Sequence, residues 1–277
     1  MSNDSGADDT AYEWLSADDV GGVLERGRLD GEVAVVTGAS KGLGRAVAFA
    51  LADVGARVAV VSRDHQACRE VVAELEDRFD TDALALETDI SDPDAVDEMV
   101  ATVVAEYGTI DVLVNNAGAS FVAPVEDISP DGWDRILEIN LRGTYLCSRA
   151  ASDYLSGGGR IVNFSSIAAQ FGSNTMSHYA AAKAGVENFT RSLAGQWADR
   201  NVRVNCIAPG PILTPGSAGV AGVSSGTAHD RSEIDRPVGS AAEVADTVVF
   251  LVSSASSYLT GETITVGGPP ALAEALD

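Results

Sequence analysis

The 277-residue chain is poor in basic residues, in cysteine and in long apolar runs. Eighteen Lys and Arg stand against 41 Asp and Glu, a net charge of -23 that would repel nucleic acid and anionic lipid surfaces. The cysteines Cys68, Cys147 and Cys206 are too widely spaced for a disulfide framework or a zinc site, so buried thiols and no metal are expected. The longest apolar stretch, 46–61, is broken by two charged residues, and the chain begins with acids. We therefore predict no membrane span, no signal peptide and a cytoplasmic protein.

Lysine is the scarcest charged residue. Lys41 and Lys183 are the only two, whereas Asp alone contributes 25 acids. GC-rich coding would replace Lys by Arg, but it would not produce more than two acids for each base. The composition resembles that of haloarchaeal proteins, in which molar salt shortens the Debye length to about 3 Å and screens repulsion between carboxylates. The resemblance implies a halophilic protein; the alternative is an ordinary acidic one.

Hydrophobic patterning divides the chain into two parts. Residues 1–28, rich in acids, Gly and Ser, predict a loose N-terminal extension. From Leu29, short β-branched runs without strict alternation are separated by segments of helical period, as in sheets buried on both faces. The pattern predicts one doubly wound, parallel α/β domain over 29–277, with a flexible Gly- and Ser-rich loop near 215–232. The seven predicted strands are 33–37, 58–62, 83–88, 112–115, 160–165, 202–207 and 263–266.

A glycine-rich turn follows the first predicted strand directly. The turn contains Gly38, Ser40, Lys41, Gly42, Leu43 and Gly44, and a helix begins within it. Glycines there permit tight backbone angles and let backbone N–H groups approach a phosphate at the positive helix N-terminus. Such a turn also serves plain helix–sheet packing, but its place after the first strand of a doubly wound sheet favours phosphate binding.

The spacing of this turn, T-G-x-x-x-G-x-G, resembles the short-chain dehydrogenase/reductase family in its compact single-domain branch. Further landmarks match that branch in order over about 29–268: Asp89 and Ile90, then Asn115-Asn116-Ala117-Gly118, then Pro209, Gly210, Ile212 and Thr214. The resemblance implies a seven-stranded Rossmann-type fold and a nicotinamide cofactor. It also implies that the Asp contacts adenine, that the Asn-Ala-Gly segment shapes the wall beside the adenosine, and that the segment after Pro-Gly holds the nicotinamide amide.

The residue that meets the adenosine ribose decides between NADP and NAD. An acid there would accept from the 2′-hydroxyl and repel a 2′-phosphate. This chain has Ser62 at that position, followed by Arg63, and Lys41 lies in the turn. Two cations beside a phosphate pocket favour NADP through charge-assisted hydrogen bonds. In the alternative, which leaves NAD possible, Arg63 is solvated and Asp64 turns towards the ribose.

Tyr179 and Lys183 form a Y-x-x-x-K pair, so both side chains share one helix face. The ammonium and an oxidised nicotinamide both stabilise phenolate, which makes the Tyr a workable general acid/base. At the end of the fifth strand, Ser166 can hydrogen-bond a carbonyl oxygen. Ser165 is its rival, but adjacent strand residues face opposite sides and the family spacing selects Ser166. With Asn140, which in the family binds a water linking the Lys to solvent, the resemblance implies an Asn-Ser-Tyr-Lys tetrad.

These features predict an NADP-dependent oxidoreductase that moves hydride between nicotinamide and a carbonyl or secondary alcohol. The chain resembles 3-oxoacyl-thioester reductases, acting on acyl carrier protein or CoA thioesters, and also polyol enzymes of the gluconate 5-dehydrogenase type; we prefer the thioester reductase. A non-catalytic NADP sensor is a third hypothesis, although such proteins usually lose part of the tetrad. The family resemblance implies a homotetramer or homodimer, but Val266-Gly267-Gly268 departs from the family's V-D-G-G ending.

The charge imbalance leads to a prediction about salt. At about 0.01 M salt the Debye length is roughly 30 Å, so carboxylates across the whole surface repel one another; at molar salt it is about 3 Å. We expect the melting temperature, followed by circular dichroism, to rise steeply from dilute to molar KCl. A melting temperature that is flat or falls with salt would contradict the halophilic interpretation.

Overall fold

Seven parallel strands form the centre of the computed structural model, which describes residues 22–155, 157–214 and 238–268. The order across the sheet is β3-β2-β1-β4-β5-β6-β9, and two further short strands, β7 and β8, pair with each other. The strands are β1 Val33–Thr37, β2 Arg57–Ser62, β3 Ala83–Glu87, β4 Val112–Asn115, β5 Arg160–Phe164, β6 Arg203–Pro209, β7 Ile212–Leu213, β8 Gly239–Ser240 and β9 Thr263–Val266.

Helices connect the strands, as parallel pairing requires. They are α1 Val23–Arg26, α2 Gly42–Asp53, α3 His65–Arg78, α4 Pro93–Tyr107, α5 Pro130–Leu137, α6 Gly143–Ala151, α7 Ala168–Phe171, α8 Ser177–Gln196 and α9 Ala241–Val252. A π-helical turn, Glu138–Arg142, joins α5 to α6. Among the residues described, no helix is both long enough and apolar enough to cross a bilayer.

Two hydrophobic cores, one on each face, hold the helices to the sheet. Alternate residues of β1 divide between them: Ala34 and Val36 pack with α2, α3 and α9, whereas Val33 and Val35 pack with α4, α6 and α8. All five residues of β1 are buried, which explains its uninterrupted apolar sequence. The three cysteines are free thiols and are buried, as expected.

The predicted doubly wound sheet is confirmed, and its strands differ from prediction only near their ends. Strand β5 ends at Phe164, so Ser166 lies two residues beyond the strand rather than at its last position. Strand β6 continues to Pro209 because its last residues pair with β9. The short β7 and β8 were not predicted, since two residues carry no periodic signal.

The ends of the predicted domain fall partly outside the described residues. Residues 1–21 of the proposed extension and the proposed loop at 215–232 lie outside them. Helix α1 is described, and the Arg26 carbonyl accepts a hydrogen bond of 3.1 Å from Ser254 Oγ. Leu29, the predicted start of the domain, is 1% exposed.

Arg203, at the amino end of β6, hydrogen-bonds the backbone at the end of α9 and in the segment that follows it. Its guanidinium donates to the carbonyl oxygens of Leu251, Ser253, Ser256 and Leu259 at 2.9–3.2 Å. Burial, with a smaller contribution from the charge of Arg160, lowers its pKa to about 10. The planar guanidinium thus satisfies several carbonyl oxygens near the end of a helix, where partners are otherwise lacking.

We expect Arg203→Met to destabilise the protein by about 2–4 kcal/mol, because partly buried carbonyl groups would lose their donor. Chemical denaturation of the parent and variant measures the change. Arg69→Met, which removes an exposed guanidinium that hydrogen-bonds Gln66, serves as control and should change the free energy of unfolding by less than about 0.5 kcal/mol. Equal effects of the two changes would contradict the structural role of Arg203.

Candidate active site

The predicted cofactor and catalytic residues meet at the carboxyl end of the sheet. A cleft of about 990 Å³ runs from Lys41 and Arg63 at one end to Tyr179 and Lys183 at the other. Every predicted cofactor residue lines the cleft except Gly42 and Gly44, which lie behind its wall. The lining residues from the predicted set are Gly38, Ser40, Lys41, Leu43, Ser62, Arg63, Asp89, Ile90, Asn116, Ala117, Gly118, Ser166, Tyr179, Lys183, Pro209, Gly210, Ile212 and Thr214.

The turn after β1 is built as a close-packed cradle. Gly38 has a φ of 67°, in the left-handed region that favours glycine. A Cβ added to Gly44 would lie 2.4 Å from the Gly38 carbonyl oxygen, so a side chain there would push α2 away from the turn. Lys41, the residue before α2, makes no side-chain cap, and the helix opens directly onto the cleft. Free N–H groups at a helix N-terminus beside a lysine suit an anionic phosphate.

Hydrogen bonds join this turn to the chain leaving β4. Asn116 Nδ2 donates to the carbonyl oxygens of Thr37 and Gly38, at 2.8 and 3.2 Å. The backbone N–H groups of Asn116 and Ala117 donate to Thr37 Oγ1, both at 3.1 Å. The Asn-Ala-Gly segment therefore fixes the wall of the cleft by holding the glycine turn in place.

At the end of β2, the residues that discriminate between cofactors have defined partners. The Asp64 carboxylate caps α3 by accepting from Ala67 N at 3.0 Å, and Asp64 also lines the cleft. Ser62 Oγ lies 3.1 Å from both Asp64 N and Cys68 Sγ. Arg63 lines the cleft.

Asp89 lies across the cleft from this cationic end. Burial opposes its ionisation, but two hydrogen bonds from Ser91 and the charges of Arg135 and Arg63 outweigh burial and lower its pKa. The Ser91 hydroxyl lies 2.7 Å from Asp89 Oδ1. A carboxylate held in this way accepts hydrogen bonds from a bound group.

Tyr179 and Ser166 both line the other end of the cleft, where the nearby Ser166 hydroxyl favours the ionised phenol, and the ammonium of Lys183 lies 5.7 Å from the centre of the Tyr179 ring. Burial raises the pKa of Tyr179, and the Ser166 hydroxyl offsets this only in part. The sequence led us to expect a phenol shifted towards phenolate. In the cofactor-free protein the surroundings favour the protonated phenol of Tyr179, because burial has the larger effect on its pKa. Burial depends on tertiary packing.

Lys183 is buried, with 3% exposure, and its Nζ donates to the carbonyl oxygen of Phe164 at 2.7 Å. Burial lowers its pKa to about 8. The side chain therefore loses its proton within the range in which many enzymes are assayed.

Asn140 lies behind the cleft, in the π-helical turn, a local irregularity that often accompanies function. Its Nδ2 donates to the carbonyl oxygens of Ala119 and Ile136, at 2.8 and 2.9 Å, while its buried Oδ1 has no hydrogen-bond partner among the described residues. A Cβ added to Gly118 would lie 2.7 Å from that oxygen and 3.4 Å from Lys183 Nζ. A side chain at position 118 would therefore fill the space that Asn140 Oδ1 and Lys183 Nζ both border. No sequence signal had predicted the π-turn.

Ten further residues line the cleft outside the predicted set. Six of them have uncharged, mostly apolar side chains, and the other four are Asp64, Thr88, Phe164 and Ser165; the six are Ala119, Ser120, Ile139, Met176, Pro211 and Val238. Apolar walls of this kind suit an apolar carbon skeleton.

Comparison with known proteins agrees with this arrangement. The model of a family described as enoyl-(acyl carrier protein) reductase matches residues 38–268. Cis-4-hydroxycyclohexanecarboxylate dehydrogenase of Sinomonas cyclohexanicum is 41% identical over 85% of this chain and 95% of its own. The 3-oxoacyl-[acyl-carrier-protein] reductase of Thermotoga maritima is 36% identical over 87% of this chain and 98% of its own.

A solved structure also matches. L-sorbose reductase from Gluconobacter frateurii, complexed with NADPH and L-sorbose, superposes with a TM-score of 0.80 and 30% identity, over 87% of this chain and 97% of its own. The chain belongs to the short-chain dehydrogenase/reductase family. It is therefore an oxidoreductase of alcohol and carbonyl groups, in a family that binds a nicotinamide cofactor.

The cleft of this short-chain dehydrogenase/reductase fits such a cofactor. The glycine cradle and the uncapped start of α2 suit the pyrophosphate, and Lys41 adds a cation beside it. One cleft contains both that turn and the pair Tyr179 and Lys183, the two predicted subsites.

The shift of Lys183 gives a prediction that the composition makes easy to test. With two lysines in the chain, selective ¹⁵N or ¹³C labelling of lysine should give two side-chain NMR signals, and Lys41→Arg assigns them. We expect the Lys183 signal of the cofactor-free protein to titrate near pH 8. Since a buried ammonium is disfavoured in the folded state, the same shift should make folding more favourable as the pH rises from about 8 to 10.5. A Lys183 midpoint at the ordinary value would contradict the burial argument.

Proposed function

We propose that the protein is an NADP-dependent carbonyl reductase whose catalytic residues are Ser166, Tyr179 and Lys183, supported by Asn140. The observation that carries the proposal is that Ser166, Tyr179 and the buried ammonium of Lys183 line one end of a cleft whose other end is a phosphate cradle. A binding protein without turnover would need no such set. The intact tetrad therefore favours an enzyme over an NADP sensor.

In the proposed reaction each side chain has one task. Ser166 donates a hydrogen bond to the substrate carbonyl oxygen and holds it beside Tyr179. When bound, NADPH supplies the hydride that adds to the carbonyl carbon. Tyr179 donates its phenolic proton to the carbonyl oxygen, which completes the secondary alcohol. The Lys183 ammonium stabilises the resulting phenolate, and a raised phenol pKa suits a group that must begin this step protonated.

Preference for NADP rests on the charges at the end of β2. One oxygen of the Asp64 carboxylate is engaged as the cap of α3, which weakens Asp64 as an acceptor for a ribose 2′-hydroxyl. Lys41 and Arg63 both line the cleft and can bind a 2′-phosphate. The relative solved with NADPH supports the same choice.

The proposed substrate is a 3-oxoacyl thioester, linked to CoA or to acyl carrier protein. The mainly apolar walls supplied by Ile139, Met176 and Val238 favour an acyl chain over a polyol, whose hydroxyl groups would need several polar partners. The similarity to the Thermotoga reductase supports this substrate class. The similarity to L-sorbose reductase favours the second candidate, a sugar or polyol substrate.

A substrate panel with NADPH tests the proposal. We expect oxidation of NADPH with 3-oxoacyl thioesters and at least tenfold lower kcat/KM with keto-sugars, because a buried hydroxyl without a partner costs about 1–3 kcal/mol. In Tyr179→Phe, turnover should fall below a few per cent while NADPH affinity stays within about twofold, since the ring and the cofactor contacts remain. Retained turnover in this variant would remove Tyr179 from its proposed role.

The cofactor assignment has its own test. Replacing Ser62 with Asp and Arg63 with Gln should shift preference from NADPH towards NADH by about 10- to 100-fold in the ratio of kcat/KM, because the new carboxylate repels the 2′-phosphate. The single change Arg69→Gln, at an exposed arginine on α3, is the matched control and should leave the ratio unchanged. A parent enzyme that already prefers NADH would contradict the assignment.

We also propose that the protein assembles as a homotetramer or homodimer. Large aromatic side chains are exposed on the described surface, among them Tyr145, Phe250 and Tyr258. Exposed apolar side chains of this size favour association with a further copy. Light scattering after size-exclusion chromatography gives the oligomeric state.

A further inference from the structure

Helix α8 contacts the end of β5 through three successive turns. Tyr179 lines the cleft beside Ser166, Lys183 donates to the Phe164 carbonyl oxygen at 2.7 Å, and Glu187 accepts from Ser165 Oγ at 2.9 Å. The helix residues are spaced four apart, so they lie on one face. The first two are the proposed reacting groups, whereas nothing in the proposed mechanism uses the third.

Glu187 is unusual because it is a carboxylate with 8% exposure. Charged groups are rarely buried unless they are paired or hydrogen-bonded. Its nearest cation, the exposed Arg191, is 3.8 Å from Oε2, beyond ordinary hydrogen-bond length. The short bond from the Ser165 hydroxyl is therefore the main contact that its carboxylate makes with the buried interior.

Ser165 is held firmly from two directions. Its backbone N–H donates to the Ile207 carbonyl oxygen at 2.7 Å, which fixes it to β6. Its Oγ lies 2.9 Å from Glu187 Oε1 and 3.2 Å from the Lys183 carbonyl oxygen, so both acceptors come from α8. Because Ser165 precedes Ser166, this anchoring sets the distance between Ser166 and the helix that carries Tyr179.

We propose that Glu187 is a positioning residue that holds Ser166 against Tyr179 by binding the Ser165 hydroxyl. This inference rests on the proposed function for its effect on turnover. The contact acts through geometry rather than charge, because an amide oxygen at the same place would accept the same hydrogen bond. Small displacements of a group that orients the substrate lower kcat more than they change binding.

The test compares Glu187→Ala, Glu187→Gln and Ser165→Ala, using the thioester with the highest turnover in the panel. We expect the two alanine variants to lose about tenfold in kcat, with KM for NADPH within twofold of the parent. The double variant should lose no more than either single variant, since both break the same contact. Glu187→Gln should recover kcat to within about threefold of the parent, with an unchanged pH profile.

Thr190→Val is the matched control. Thr190 is fully buried on the same helix, and its hydroxyl accepts from Asn163 Nδ2, on the same strand, at 2.9 Å. This variant should lower stability as much as Glu187→Ala while leaving kcat within twofold. Equal kcat losses in Thr190→Val and Glu187→Ala, or a Gln variant as poor as the Ala variant, would overturn the positioning role.

A second readout does not depend on any substrate. The Ser166 hydroxyl lowers the pKa of Tyr179, so its displacement should raise that pKa. The titration of Tyr179 is obtained by recording phenolate absorbance against pH for each protein and subtracting the same record for its Tyr179→Phe counterpart. An upward shift in Ser165→Ala and Glu187→Ala supports the inference even if the substrate panel fails, and an unchanged titration in both variants overturns it even if the panel succeeds.

Discussion

The pairing of β1 with β4 is the constraint on which the whole site depends. The helix that follows β1, α2, packs into the core on one face of the sheet, whereas α6, which follows β4, packs into the core on the other face. The two chains must therefore separate as they leave the sheet, and a crevice opens between them. Asn116 bridges the crevice at its base by bonding the carbonyl oxygens of Thr37 and Gly38. The shape of the phosphate cradle thus follows from strand order.

The buried cations are stabilised in the same way at both ends of the sheet. At the carboxyl end, the Lys183 ammonium binds the Phe164 carbonyl oxygen; at the amino end, the Arg203 guanidinium binds several carbonyl oxygens after α9. Neither has an ion pair within 4 Å among the described residues. Backbone dipoles compensate only in part for lost hydration, and the pKa of each group is accordingly lowered, to about 8 and about 10. In the proposed reaction the Lys183 ammonium stabilises the Tyr179 phenolate.

The sequence was sufficient for the sheet and for the residues lining the cleft, since both follow from local patterns. Buried strands read as β-branched runs, and glycine marks the turn at which Gly38 has a positive φ. Contacts between distant segments leave no such pattern. The π-helical turn carrying Asn140, the capping role of Asp64 and the bond between Ser165 and Glu187 became visible only in three dimensions. The burial that raises the pKa of Tyr179 also depends on the packing of α8 and not on its sequence.

An acidic protein must bind an anionic dinucleotide, and the structure indicates how these demands are reconciled. Repulsion by the net charge of -23 acts over distances comparable to the Debye length, whereas Lys41 and Arg63 line the cleft itself and act at contact distance. Salt that screens the distant carboxylates leaves close contacts and the N–H groups of α2 comparatively unaffected, since water and ions are displaced where a ligand binds. As salt rises, the long-range repulsion between the surface carboxylates and the dinucleotide is therefore lost at lower concentrations than the short-range attraction in the cradle. On this argument lysine can be scarce everywhere except in the cleft, which Lys41 and Lys183 both line.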